Sequence, residues 1–234
     1  MKIAIMQPYL FPYIGYFQLL HAVDEMVVYD NIQFTKKGWI NRNRILVNGK
    51  DDYISFSLKK DSDYLNVNER FLSDNWSTER KKLLNKIIEL YKKAPQFKEA
   101  FPVIEQIILF EESNLFQFIL NSLLTLKKHL EISTTILISS NIDIDHSLKS
   151  ESKVIEICKA RKATVYINPI GGLDLYKKEN FLNEGIELFF LKTGAVNYKQ
   201  FNNEFIPFLS IIDVMMFNST AQIKNHLDHS FQLI

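Results

Sequence analysis

The first thirty residues alternate strand, helix and strand, and that order leaves few folds open. Residues 2–6, Lys-Ile-Ala-Ile-Met, suit a short buried strand. Pro8 and Pro12 forbid regular helix between Gln7 and Pro12. Residues 15–23 then carry Phe17, Leu19, Leu20 and Val23 on the apolar faces of a helix, and residues 26–30, Met-Val-Val-Tyr-Asp, form the next strand. Strand, helix and strand within so short a span is a βαβ unit, whose strands pair in parallel.

The pattern breaks and later resumes. Asn48-Gly49, between Ile45-Leu46-Val47 and Tyr53-Ile54-Ser55-Phe56, is a strong hairpin signal and places an inserted antiparallel hairpin at 40–58. Residues 76–130 read as a helical block: Leu83, Leu84, Ile87, Ile88 and Tyr91 recur at helix spacing, Pro95 marks a break, a second helix covers 97–111 with a new turn near Pro102, and a third runs from a capping Asn114 to Leu130. Strands are predicted at 134–139, 164–168 and 186–191. Helices are predicted at 150–162, 173–183, 207–217 and 220–229, with Gly185 suited to the left-handed position past a helix end. The expectation is a single α/β domain over 1–234, with a parallel-sheet core of about five strands.

Composition narrows the setting. One cysteine, Cys158, excludes a disulfide scaffold, and it faces a helix core with no activating neighbour. A net charge of +1 supplies no field for nucleic acid. Residues 3–23 lack formal charge, but their two prolines would break a spanning helix and they hold no signal-peptide cleavage site. A cytoplasmic protein without a membrane span is expected.

In open α/β sheets ligands bind beyond the carboxyl ends of the strands. Those ends lead into Gln7–Gly15, Asp30–Lys37, Ser139–His146, Asn168–Gly172 and Lys192–Asn197, where the unusual residues cluster. A loop stiffened by two prolines holds Gln7, Tyr9, Tyr13 and Tyr16 at low entropic cost, and Gly15 opens a helix whose free N–H groups suit an anion. From Thr35 to Lys50 there are five basic residues and no acidic one. Lys36, Lys37, Arg42 and Arg44 are candidate phosphate ligands, Trp39 a stacking platform, and Asn41 and Asn43 polar neighbours. A solvated basic hairpin is the alternative. Asn168-Pro-Ile-Gly171-Gly172 suggests close backbone approach to a ligand, or a tight turn. Asp30 is a candidate for binding a hydroxyl or an amine. Asp213, in an apolar helix, must be paired or its pKa will rise; a hydrogen bond to neighbouring backbone is the simpler expectation. Asp143, Asp145 and His146 read as loop, and no metal site is expected.

Three stretches carry a family resemblance: Met6-Gln-Pro-Tyr-Leu-Phe-Pro-Tyr-Ile-Gly-Tyr-Phe17, Lys37-Gly-Trp-Ile-Asn-Arg-Asn43 and Phe205-Ile-Pro-Phe-Leu-Ser-Ile-Ile-Asp213. They resemble the WbqC-like family, associated with bacterial surface-polysaccharide and O-antigen gene sets. By analogy, the strand, the proline loop and Tyr13-Ile-Gly-Tyr16 also look like the start of nucleotidyltransferase-type folds, pantothenate synthetase among them. Those enzymes carry His-x-Gly-His at this place, and both histidines are missing here.

The resemblance implies a setting in surface-glycan biosynthesis. The analogy with pantothenate synthetase, whose sheet makes amides by activating a carboxylate, motivates the expectation of an enzyme that transfers a small acyl or aminoacyl group onto the amine of a nucleotide-linked amino sugar. ATP or an acyl or aminoacyl donor would be the co-substrate. Gln7, Tyr9, Tyr16 and Asp30 would position the reaction, and a second copy or other glycan-biosynthesis enzymes would be its contacts. A non-catalytic nucleotide-sugar-binding accessory protein is the alternative. A glycosyltransferase using Asp143-Ile-Asp145 is less attractive, because that motif follows too late a strand.

Overall fold

In the computed structural model, which describes residues 1–234, β1 (Lys2–Met6) pairs in parallel with β2 (Glu25–Val28) across helix α1 (Ile14–His21). A separate antiparallel hairpin follows, β3 (Arg42–Val47) and β4 (Lys50–Ser55). Asn48 and Gly49 both take positive φ, 51° and 76°, as a type I′ turn requires. The helical block is α2 (Trp76–Tyr91), α3 (Phe97–Ile108) and α4 (Leu115–His129). Asn114 caps α4 by accepting from the Gln117 N–H at 3.1 Å.

The chain then returns to the sheet through β5 (Thr135–Ile138), α5 (Ser150–Ala160), β6 (Val165–Pro169), α6 (Lys178–Asn183) and β7 (Glu187–Thr193). It ends with α7 (Ile211–Phe217), α8 (Thr220–His229) and β8 (Phe231–Leu233). Strand order is β5-β2-β1-β6-β7-β8. The first five are parallel and read 3-2-1-4-5 in chain order, the doubly wound arrangement.

Period-two alternation sends the sheet's side chains to two cores. Ala4, Met26, Val28, Ile167 and Leu191 pack under α1, the helical block, α7 and α8. Ile3, Ile5, Val27, Tyr166 and Phe190 pack under α5 and α6. Cys158 belongs to the second core, where burial pushes its thiol up to about 12 and leaves it unreactive. No helix is long and apolar enough to cross a membrane.

The structure corrects four local expectations. A sixth strand, β8, adds antiparallel to β7, with Leu233 opposite Leu191; three residues after a helix carry too little periodicity to announce it. The helix expected at 173–183 is a 3₁₀ turn at Ile170–Leu175 followed by the short α6, because adjacent glycines disfavour α-helix. The helix expected at 207–217 begins only at Ile211, because Phe208 takes φ 59° and Ser210 caps the helix by accepting from the Ile212 N–H. Asp213 is held by side chains, not by neighbouring backbone. Tyr91 and Tyr198 donate their hydroxyls at 2.8 and 2.7 Å, and Gln200 donates its amide at 2.8 Å. Burial raises the Asp213 carboxyl, the three donors oppose this, and its pKa stays above the ordinary value. Tyr91 also accepts from the Leu46 N–H at 2.9 Å, which ties the helical block to the hairpin.

Candidate functional site

The order of the parallel strands reverses between β1 and β6, and a crevice opens there beyond their carboxyl ends, the usual ligand position in such sheets. It holds a cavity of about 730 Å³, within the size range of small-molecule sites. Its walls come from the proline loop after β1, the end of β2, residues 39–44 before and within β3, the 3₁₀ turn after β6, the end of β7, and Phe208.

The proline loop is fastened from two sides. Asn43 donates its amide to the carbonyls of Leu10 (3.0 Å) and Phe11 (2.9 Å) and accepts from the Arg44 N–H. Ser210 donates its hydroxyl to the Phe11 carbonyl at 2.8 Å, and its N–H reaches the Arg44 carbonyl at 2.8 Å. Phe11 is consequently held at φ 41°, a strained value for a bulky residue. The three stretches quoted for their family likeness therefore meet at one wall of one cavity.

The lining is aromatic and nearly uncharged. Five tyrosines (Tyr9, Tyr13, Tyr16, Tyr29 and Tyr176) face it with Trp39, and Arg44 is its sole formal charge. Burial raises the pKa of every one of the five, so each phenol stays protonated. Tyr16 donates to the Gln7 carbonyl at 3.2 Å, and Tyr13 donates to Thr193 Oγ1 at 2.8 Å. Arg44 lies over the Trp39 ring at 5.7 Å and pairs with Asp51 at 3.0 Å. Its buried Nε has no protein partner.

The glycines differ in kind. A Cβ on Gly15 would stand 2.2 Å from the Tyr13 hydroxyl and 2.6 Å from Thr193 Oγ1. A Cβ on Gly172 would stand 2.0 Å from Asn168 Nδ2. Asn168 is itself fixed, accepting from Tyr166 at 2.9 Å. Gly171 has nothing within 4 Å of that position and no positive φ, so no packing in the protein requires a glycine there. It presents bare backbone to the cavity.

The WbqC-like protein family matches residues 7–225. The chain belongs to the WbqC-like family. It is also 28% identical over 234 residues to "Uncharacterized protein Rv1507c" of Mycobacterium tuberculosis (strain ATCC 25618 / H37Rv), covering 99% of each chain. No solved structure matches it.

In this WbqC-like chain the cavity brings together Gln7, Tyr9, Tyr13, Gly15, Tyr16, Trp39, Asn43, Arg44, Asn168, Gly171 and Gly172 among the residues singled out from sequence. Lys36, Lys37, Asn41, Arg42 and Asp30 do not line it. Lys36 pairs with Asp63 at 2.7 Å, and Asn41 donates to the Phe56 carbonyl at 2.8 Å. Lys37 is exposed at φ 64°. Arg42 donates to the Gly38 and Lys37 carbonyls and lies 4.5 Å over Tyr53.

Asp30 is buried beside the cavity, accepting from Ser139 Oγ (2.8 Å), the Ser140 N–H (2.9 Å) and Asn68 (3.0 Å). Burial raises its carboxyl, but the Ser140 and Ser139 hydrogen bonds outweigh it and hold the pKa below the ordinary value. Of the three residues read as loop, Asp145 accepts from the Ser147 N–H and hydroxyl, and His146 contacts Asn31 and the Ile142 carbonyl. Tyr29, Tyr176, Thr193 and Phe208 join the site without having been singled out. Tyr29 and Thr193 carried a usable signal, because Thr193 closes β7 and Tyr29 directly follows β2 at the ligand-facing edge.

Proposed function

We propose that this WbqC-like protein binds a nucleotide-linked amino sugar in the cavity and transfers a small acyl or aminoacyl group onto the sugar's amine, as a step in building a bacterial surface polysaccharide. The observation that carries the reading is the lining: protonated tyrosines, one tryptophan and one arginine, with no carboxylate. Sugar rings stack on aromatic faces, and their hydroxyls pair with phenols. Arg44 suits one diphosphate, because a guanidinium grips phosphate oxygens in bidentate fashion. Gly171 lets the ligand approach backbone directly.

The same lining suits aminolysis. An amine attacks only when neutral, and a lining without a carboxylate gives an ammonium no counter-charge to hold its proton. Glycosidic chemistry would instead call for a pair of carboxylates. A single cation favours a donor that arrives activated, such as an acyl thioester, over assembly around ATP. The second reading, a non-catalytic nucleotide-sugar carrier, draws support from one observation: no histidine, cysteine or carboxylate lines the cavity, and Asp30 is committed to its three donors.

Incubating the protein with UDP- or dTDP-linked amino sugars and acyl thioesters, or a carboxylic acid and ATP, and reading the sugar by mass spectrometry tests the transfer. A mass gain of one acyl group supports it. Binding without any gain, across all donors, leaves the carrier reading.

A further inference from the structure

Beside the main cavity lies a smaller chamber of about 110 Å³. Ile14, Val196, Phe205, Pro207, Leu209 and Val214 wall it, and Tyr13, Thr193 and Phe208 are shared with the main cavity. Phe208 is 63% exposed, stands edge-on to the Tyr13 ring at 5.8 Å and takes φ 59°. A bulky residue in that conformation is costly, and here it stands where the two spaces adjoin.

Between them stands one hydroxyl pair. Tyr13 donates to Thr193 Oγ1 at 2.8 Å, while the Thr193 hydroxyl proton has no protein acceptor. The pair fits only because residue 15 lacks a Cβ, which would meet both oxygens within 2.6 Å. The result is an unspent donor between the larger, tyrosine-lined space and the smaller one.

We propose that the small chamber is the seat of the acyl chain of the donor, with the Thr193 hydroxyl donating to the acyl carbonyl oxygen. This deepens the sugar-acylation reading and rests on it for the acceptor. An apolar cavity of about 150 Å³ accommodates benzene, so 110 Å³ limits the chain to about four carbons. The sugar amine attacks the thioester carbonyl from the main cavity, and a C–N bond forms as the C–S bond breaks. The sulfur leaves with the bonding pair and takes up the proton the nitrogen sheds, giving amide and free thiol. The oxygen that carries charge in the tetrahedral stage is the one Thr193 meets, the geometry by which oxyanion donors act.

The test is calorimetric titration of acetyl-, butyryl- and octanoyl-pantetheine into the full chain. Each buried methylene is worth about fourfold in affinity, so butyryl should bind about 15-fold tighter than acetyl, and octanoyl should gain nothing more. Val196→Phe, which fills the chamber, should move the optimum to acetyl. Ala195→Leu at the exposed edge of the chamber gives the same readout should the first variant misfold. Thr193→Val should weaken every thioester, and Thr193→Ser should restore binding. Affinity that rises steadily to octanoyl, no thioester binding, or an unmoved optimum in the folded variants would overturn the proposal. A parallel titration with UDP-linked amino sugar separates the two failures. Thioester binding with the predicted optimum and no sugar binding keeps the chamber and removes the sugar; the converse removes only the chamber.

Discussion

The side chain of Asn43 donates to the carbonyl of Phe11 at 2.9 Å, and through that bond the start of the hairpin sets the shape of the loop after the first strand. The same amide reaches Leu10 at 3.0 Å. Neither carbonyl lies in a helix or strand, so these bonds replace secondary structure in satisfying buried backbone. Phe11 stays at positive φ because its carbonyl is pinned by Asn43 and Ser210 together.

Asn43→Ala should therefore destabilise the fold by about 2–3 kcal/mol, from two lost bonds and the Leu10 carbonyl left without a donor, while the Phe11 carbonyl keeps Ser210. Urea unfolding measures this. A loss below about 0.5 kcal/mol, the size of an ordinary surface change, would show that the loop does not depend on Asn43.

Gly15 and Gly171 line the same cavity but should respond oppositely. Gly15→Ala drives a Cβ into the Tyr13–Thr193 pair and should cost about 1–3 kcal/mol, as overpacking does. Gly171→Ala meets open space and should change stability by no more than about 0.5 kcal/mol. Thermal unfolding of the two variants compares them, and equal losses would contradict the distinction.

Asp213 should make stability fall with pH on the acid side of neutrality. Its pKa in the fold is raised, chiefly by burial. As pH climbs past about 3.9, the ordinary aspartate value, the unfolded chain loses this proton while the folded chain keeps it. The folded state then holds the extra proton, so its advantage declines until the folded carboxyl ionises too, and is level above that. Unfolding free energies of wild type minus Asp213→Asn, measured from pH 3 upward, should decline and then flatten. A difference that is constant or rises with pH would reverse the assignment.

Much of the fold was legible because parallel strands and their crossovers write long periodic signals. The βαβ start, Asn48-Gly49 and the helical block at 76–130 all stand where local pattern put them. β8 escaped because an edge strand of three residues exists only through its pairing with β7. The candidate site was legible in part for a related reason. Strand ends mark where a ligand can sit, so Gln7, Tyr9 and Gly171 could be found from order alone. Local charge did not reveal which basic residues turn inward. Lys36 finds Asp63 and Arg42 finds backbone carbonyls, while Arg44, two positions on along the same strand, reaches the cavity. Nor could sequence show that Asp213 gathers Tyr91, which is 122 residues away.

The proposed function requires that the Gly171-lined cavity bind a nucleotide-linked amino sugar. Calorimetric titration of UDP- and dTDP-linked amino sugars into wild type and Gly171→Leu tests it most directly, because residue 171 faces the cavity without bearing on packing. Saturable one-site binding to wild type and its loss in Gly171→Leu, with the melting temperature unchanged, is the expected result. No binding to wild type, or equal binding to both proteins, would contradict it.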